Sequence, residues 1–499
     1  MVTILVLALS VTGALRLQAL ETDQYASWGH PVADSTGALN AWFNLQLRET
    51  LAAASRHGEI PSRRRIEKMF ERRLRFLFII HPPELWAGSS SLVGRYPDSA
   101  RDEIDFRRSN LYHNHGILDV GLWMPISPTI QVNGVRFGTD KLSHFVSLGW
   151  QLYTEYRRLR AHGMSAEDAE RKALRSGFDG ERYFLLGYRT SGILSLSDME
   201  SDHQGMIFFR DLCGGNDPVL ERTGAGWKIR RPIDLRSYVT PEWDESYEPQ
   251  IFRKGRWKKI RPVLQTYCRW LDDPWLIEQR QRYRQRDRLT LSESLVLQEV
   301  ARKKLPDPRR FTLESVCGRR PRPLDGGGRT AGHPLAAGSA RPEIEREIID
   351  DSRKRRSRLV GLWEAGYSRP LGFSGALGAM AARLPSGTPC RLLCSFTGPF
   401  VQLGAGSGGA RMSLGFGRLW ADLTDRGTFA SSAYMGIGVR ATLLRTWSDP
   451  VGTAVGGTFL GPEMEFSVAK INISLGALRR LDGAHSGDWT FSWSLGFGF

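Results

Sequence analysis

Strict alternation of large apolar residues with small or polar ones marks the end of the chain. The large side chains there are Trp489, Phe491, Trp493, Leu495, Phe497 and Phe499, and only Thr, Ser and Gly stand between them. Because successive residues of a strand point to opposite faces, this period of two predicts a β-strand with one aromatic face. A helix would scatter the same residues around its circumference.

The same alternation recurs through residues 358–499, for example around residues 371–378, 412–417, 435–443 and 471–477. About eight such runs occur, each roughly 9–12 residues long, which is the length that a tilted strand needs to cross a bilayer. Turn-forming residues separate the runs, as at Ser407-Gly408-Gly409 and Asp449-Pro450. Lipid cannot satisfy an open sheet edge, so the pattern favours a closed, eight-stranded antiparallel transmembrane β-barrel. A soluble β-sandwich alternates in the same way and is the alternative.

The terminal pattern W-x-F-x-W-x-L-x-F-x-F resembles the last strand of bacterial outer-membrane barrel proteins, which typically ends in Phe with apolar residues at every second position before it. The resemblance covers the last 140 residues or so. It implies that this region lies in the outer membrane, with membrane lipid as its partner. A barrel of eight strands would be filled by its own side chains and would have no pore.

Residues 1–19 have the pattern of a secretory signal peptide. An apolar stretch over residues 1–15 is too short to span a bilayer, and Leu17-Gln18-Ala19 forms a plausible cleavage site. No Lys or Arg precedes the stretch, so a buried N-terminal helix is the alternative. No later segment is long and apolar enough for a membrane-spanning helix. We therefore expect export, with the rest of the chain in the periplasm and outer membrane.

Residues 20–317 carry helical patterns and are predicted to form an α-rich periplasmic domain. Four helix starts can be read from capping residues: Ser62, Thr139, Ser165 with Asp168, and Ser197 with Glu200. Residues 318–357 are rich in Pro, Gly and charge and nearly free of aromatic residues, which is typical of a flexible linker. The fold class expected is thus multidomain α + β: an α-rich domain, a linker and a barrel.

The chain is strongly basic, with a net charge of +16. Basic residues cluster at 63–75, 254–261 and 353–358. The alternative to a binding role is that these runs are solvated helix faces or linker. No zinc-finger, RNP or basic-zipper motif is present, so nucleic acid is not an expected partner. In the envelope, the partners that fit this charge are lipid headgroups, lipopolysaccharide phosphates and cell-wall polymers.

Five cysteines occur, and none of them forms a C-x-x-C pair. A metal–thiolate site is therefore not supported. In an oxidising compartment one disulfide could form among Cys213, Cys268 and Cys317, but the sequence does not select the pairing.

Polar residues between 112 and 203 are the candidates for a reactive site. Asp140 and His144 are four residues apart and share a helix face. Together with His115, Glu200 and His203 they could supply general acid–base chemistry or hold a divalent metal such as zinc. We assign Asp140, His144 and Glu200 as catalytic candidates, and His115, His144 and His203 as metal ligands.

Each candidate also has a purely structural explanation. The helix dipole favours Asp140 at a helix start, a capping box accounts for Glu200, and His203 could be a hydrogen-bonded core residue. His115 could merely order its loop. The chain has no H-E-x-x-H, G-x-S-x-G or P-loop motif.

The segment Asp140-Lys141-x-x-His144-Phe145 resembles short periplasmic lipoproteins and secreted proteins of Gram-negative bacteria whose activity is not established. This chain departs from the lipoproteins because it lacks a cysteine near the cleavage site for acylation. The resemblance covers about a quarter of the chain and implies a periplasmic location, not a reaction.

Two functions follow as hypotheses. The first is an outer-membrane-anchored protein whose basic periplasmic domain binds anionic envelope components or a partner protein. The alternative is a periplasmic hydrolase of a cell-wall or lipid substrate that uses the His/Asp/Glu site, with a divalent metal as its only expected cofactor. A third, weaker hypothesis places a Ser/His pair, Ser486 and His485, in the barrel.

Overall fold

The computed structural model describes residues 21–55, 60–75, 81–113, 126–183, 188, 191–224, 226–286, 289–324, 344, 357–383, 394–421, 433–448, 450–468, 471–483 and 487–498. The chain forms two compact units, and the boundary between them lies between residues 348 and 349. The first is helical and the second is a closed barrel, which confirms the predicted fold class. The proposed signal peptide, His115, His485 and Ser486 lie outside the described residues.

The helical unit contains α1 to α11 and several short strands. The helices are α1 Thr36–Ser55, α2 Arg63–Leu74, α3 Pro82–Ala87, α4 Ala100–Ser109, α5 Asp140–Ala161, α6 Ala166–Tyr183, α7 Leu196–Cys213, α8 Lys254–Gln265, α9 Pro274–Arg286, α10 Leu291–Ala301 and α11 Leu313–Val316. The strands are β1 Arg95–Tyr96, β2 Thr129–Val132, β3 Val135–Gly138, β4 Ile193–Ser195, β5 Leu220–Thr223, β6 Gly226–Ile229 and β7 Gln250–Phe252. In the described part of the chain, no helix is both long and apolar enough to cross a membrane.

The predicted helix starts are only partly right. Ser62 caps α2 by accepting a hydrogen bond from the Arg65 N–H at 3.3 Å, and Ser165 accepts one from Asp168 at 3.1 Å. Thr139 stands at the start of α5, but its side chain makes no capping bond. The prediction that Ser197 caps α7 was wrong. Ser195 instead accepts a hydrogen bond from the Asp198 N–H at 3.2 Å. The helix therefore begins earlier in the sequence than predicted, because the Ser195 side chain satisfies one of the free N–H groups at the helix start.

Helices α5 and α7 cross at two glycines in the centre of the helical unit. A Cβ atom on Gly149 would lie 2.6 Å from the Gly205 Cα, and one on Gly205 would collide with the carbonyl oxygen of Phe145. Aromatic side chains surround the crossing, with the Phe145 and Phe208 ring centroids 4.9 Å apart. Because neither Gly149 nor Gly205 has a side chain, the backbones of the two helices can lie nearly in contact.

A disulfide joins Cys268 to Cys317, with their Cα atoms 5.7 Å apart, whereas Cys213 is a free thiol. One of the pairings that the sequence left open is thus selected. The bridge connects the segment after α8 to α11 and closes a long loop, which reduces the conformational entropy of the unfolded chain.

The second unit is an eight-stranded antiparallel barrel, closed by pairing of its last strand with its first. Its strands are β8 Ser357–Arg369, β9 Gly372–Arg383, β10 Cys394–Gly406, β11 Gly409–Ala421, β12 Ala433–Thr446, β13 Thr458–Val468, β14 Ile471–Arg480 and β15 Trp489–Gly498. The predicted strand number and the alternation are confirmed. Ser407 and Gly408 form a two-residue turn between β10 and β11, as short antiparallel connections do.

The barrel has apolar side chains outside and polar side chains inside. Exposed residues include Leu359, Phe373, Leu377, Leu414, Phe491 and Phe497. Inside, Arg440 pairs with Glu463 at 2.9 Å and with Glu465 at 2.7 Å, and Arg411 pairs with Glu364 at 2.6 Å. This polarity is the reverse of that of a soluble protein.

We expect Gly205→Ala to lower the free energy of unfolding of the helical unit by at least about 2 kcal/mol, because the added Cβ forces α5 and α7 apart. Gly180→Ala is the matched control, since a Cβ on that α6 residue meets no atom within 4 Å. The control should gain up to about 1 kcal/mol from helix propensity. Chemical denaturation measures both variants, and equal effects would contradict the close crossing.

Candidate functional site

The start of α5 carries three polar residues into the interior. Asp140, Lys141 and His144 are all buried, and Lys141 has no exposed surface. Their spacing of one and four residues places them on adjoining sides of the first helical turns. The D-K-x-x-H pattern therefore describes one buried polar cluster and not a solvated helix face.

Lys141 is enclosed by carboxylates. Its Nζ lies 2.7 Å from Asp140 Oδ2 and 2.6 Å from Asp198 Oδ1, and it also contacts Glu245 Oε1. Burial alone would lower the pKa of Lys141, but these carboxylates, Asp140 first, raise the pKa well above its ordinary value. The ammonium thus stays charged and occupies the space among the three acids.

His144 lies between two aspartates of α7. Its Nδ1 is 3.0 Å from Asp202 Oδ1, and its Nε2 is 3.6 Å from Asp198 Oδ2. Burial favours the neutral ring, but Asp198 and Asp202 outweigh it and raise the pKa of His144 well above its usual value. The two aspartates therefore favour the imidazolium form of His144.

Asp198 is the carboxylate that both cations share. Burial would raise the pKa of Asp198, but His144 and Lys141 lower it below its ordinary value. Its side chain is 15% exposed, whereas that of Lys141 is inaccessible. Asp198 is therefore an ionised group at the edge of the cluster that solvent can reach.

The neighbouring carboxyl groups have raised pKa values instead. Burial, opposed by His144, raises the pKa of Glu181 to about 8 and that of Asp202 to about 6. Burial and then Asp140 raise the pKa of Glu84 to about 8. Burial and then Asp198 raise the pKa of Glu21 to about 7. The site thus holds proton-bearing carboxylic acids beside an ionised aspartate, which is the arrangement that general acid–base catalysis requires.

His203 and Glu200 belong to a different group of contacts. His203 Nε2 lies 2.7 Å from Glu170 Oε1, and Glu200 accepts hydrogen bonds from Gln204 at 2.7 Å and from Ser292 at 2.9 Å. These contacts connect α6, α7 and α10. Of the five residues that the sequence proposed, the structure thus brings Asp140 and His144 together and places Glu200 and His203 in this second group. The fifth, His115, lies outside the described residues.

Several functional candidates were missed at the sequence level: Lys141, Asp198, Asp202, Glu181 and Glu245. A signal existed for Asp198 and Asp202, because their spacing of four places them on one face of α7. No local pattern identifies Glu245, which follows the helices in sequence and approaches Lys141 only through the tertiary fold.

Two three-residue groups have ligand atoms within 4.8 Å of one another. In Asp140, Asp198 and Glu245, the Lys141 ammonium already contacts every member. In His144, Glu181 and Asp202, one nitrogen and two oxygens converge, which is a donor set suited to zinc. A metal would bind this second group in place of the proton of His144.

A small crevice of about 20 Å³, which is room for about one water molecule, adjoins the cluster at Glu245. Its walls include Tyr25, Tyr247, Phe252, Ile260 and Leu264. No family model, curated protein or solved structure matches this chain.

We expect Glu84→Gln to weaken the pH dependence of folding stability. A carboxyl group with a folded-state pKa near 8 binds more protons when folded than when unfolded, so its contribution to stability falls as pH rises from about 4.5 to 8. Glutamine cannot ionise and should remove this loss. Thermal unfolding at pH 5 and pH 8 measures the difference, and an unchanged slope would contradict the raised pKa of Glu84.

Proposed function

We propose that this chain is an outer-membrane protein of a Gram-negative envelope whose periplasmic helical unit is an acid–base hydrolase. The observation that supports the location is the reversed polarity of the barrel. Large apolar residues cover its outside while arginines and glutamates pair inside. In water such a surface would aggregate, whereas in lipid it is the stable arrangement.

Other features agree with this location. A soluble sandwich would bury its apolar face between two sheets, but residues such as Phe373 and Leu377 are exposed. Cys268 and Cys317 are placed to form a disulfide, which persists in an oxidising compartment such as the periplasm. The signal-peptide pattern of residues 1–19 supplies the route of export.

Leu414→Arg distinguishes a lipid-facing from a water-facing barrel. Leu414 is 56% exposed and lies within β11. In a bilayer the arginine should destabilise the barrel by about 2–4 kcal/mol, whereas in water it should be harmless. Val455→Arg, at a 61% exposed loop position, is the control. The yield of folded barrel in lipid vesicles, read from heat-dependent gel mobility, measures the loss. Equal yields for both variants would oppose membrane insertion.

The hydrolytic centre is assigned to Asp198 and Glu181. The single observation that supports it is the position of Asp198 between Lys141 and His144, at 2.6 Å and 3.6 Å. Two cations keep Asp198 ionised, so it can accept a proton from an attacking water. Glu181 lies beside His144 and holds the proton that the leaving oxygen must receive.

The charge of the site favours an uncharged scissile bond. Lys141 and His144 are already paired with carboxylates, so neither is free to bind the phosphate of an ester. A glycosidic bond of a cell-wall glycan fits better, since its hydrolysis uses two carboxyl groups in different protonation states. Water then adds to the sugar carbon and gives its proton to Asp198, while the bond to the leaving oxygen breaks and that oxygen takes the proton of Glu181.

We expect Asp198→Asn and Glu181→Gln each to lower hydrolysis of purified cell-wall glycan by about 10²–10⁴-fold, because each removes one proton-transfer group. Glu200→Gln is the control, since Glu200 contacts Gln204 and Ser292 in the second group. Release of reducing ends by the full chain is the measurement. Full activity in Asp198→Asn would eliminate the acid–base assignment.

Metal-assisted hydrolysis is the second candidate, favoured by the convergence of His144, Glu181 and Asp202 within 4.8 Å. Metal analysis of the same full-length preparations, beside His144→Ala, separates the two mechanisms. A stoichiometric divalent metal that is lost in His144→Ala would assign His144 as a ligand and not as an imidazolium.

A further inference from the structure

Helix α8 and the segment after it present an unusually basic surface. Residues 253–271 contain seven basic residues and no acidic one. Lys254, Lys258, Arg261 and Arg269 are exposed. These four residues are called the α8 surface below.

The α8 surface differs from the other basic parts of the helical unit. On α2, Arg63 pairs with Glu67 at 2.7 Å, and Arg73 pairs with Glu49 at 2.5 Å. Within the described ranges, no ion pair joins the four cations of the α8 surface to a carboxylate. Their charge is therefore available to an external anion and is not neutralised within the described fold.

The packing of the buried side of α8 fixes the backbone positions of these cations. Ile260, Val263 and Leu264 on the opposite side of α8 are buried in the core. Trp257 stacks on Phe252 with ring centroids 5.7 Å apart, and the Cys268–Cys317 disulfide follows the helix. The surface is thus part of a rigid element, so binding to it requires little ordering of the backbone.

We infer that the α8 surface docks the helical unit on an anionic phospholipid bilayer. This inference rests on the proposed insertion of the barrel. A chain anchored in a membrane meets lipid phosphates at high effective concentration, so several moderate attractions suffice. Lysines and arginines near an anionic membrane surface each contribute such an attraction.

Helix α8 also reaches the crevice beside Glu245. Ile260 and Leu264 on the inner side of α8 form part of the wall of this crevice. One helix thus contributes both the docking surface and the crevice wall.

The test uses the full chain with its barrel in nanodiscs of neutral phosphatidylcholine. Binding to vesicles is measured by co-sedimentation, with vesicles of phosphatidylcholine alone or mixed with phosphatidylglycerol. The triple variant Lys254→Glu, Lys258→Glu, Arg261→Glu should bind the mixed vesicles at least about tenfold more weakly than the unchanged chain. Binding should also weaken with added salt and be absent on neutral vesicles.

The matched control reverses three exposed cations elsewhere, in Arg64→Glu, Arg65→Glu, Lys68→Glu on α2. Net charge changes equally in the two variants, so equal losses would overturn the α8 surface and indicate a non-specific charge effect. Binding to duplex DNA without binding to the mixed vesicles would also overturn it. Circular dichroism confirms that each variant is folded.

Insertion of the barrel is scored separately by its heat-dependent gel mobility. Failure of the barrel to insert would contradict the proposed location. The chain can then be kept in solution with an amphipathic polymer, and its binding to vesicles still tests the α8 surface. If the barrel inserts but the chain does not bind vesicles that contain phosphatidylglycerol, the proposed role of the α8 surface is contradicted and the barrel assignment is not affected.

Discussion

The near-contact of α5 and α7 at Gly149 and Gly205 is the constraint on which the candidate site depends. It places the backbone of one helix against the other, so that Phe145 O leaves no room for a side chain at position 205. Because the helices are rigid, the polar residues one or two turns away are fixed with them. His144 on α5 meets Asp202 of α7 at 3.0 Å for this reason.

The close approach of α5 and α7 also buries charged groups, and ion pairs offset only part of the free-energy cost of burying them. Burying charged groups is expensive unless they are paired, and Lys141 and His144 pair with the nearest aspartates. The pKa values of the remaining acids, such as Glu84 and Glu181, are raised, so these groups keep a proton. A neutral carboxyl group costs less free energy to bury than a charged one. A cluster of this kind weakens stability above neutral pH, which is a common property of reactive sites.

Local patterns could be predicted from the sequence, whereas contacts between distant segments could not. The barrel followed from period-two alternation, because strand orientation depends on neighbouring residues alone. Asp140 and His144 were found because they share one helix. Glu245 and Glu181 could not be predicted because only the tertiary fold brings them to α5. The contact of His203 with Glu170 could not be predicted either, because it depends on how α6 packs on α7.

Comparison of the two buried charge networks helps to separate structure from chemistry. In the barrel, two arginines, Arg411 and Arg440, contact three glutamates, so the charges nearly balance. Around Lys141 and His144 the carboxyl groups are far more numerous, and they are Glu21, Glu84, Asp140, Glu181, Asp198, Asp202 and Glu245. In a network that only fills a core, each additional buried acid costs stability. The excess of buried carboxyl groups is therefore a feature of the helical unit that the proposed hydrolytic role would explain.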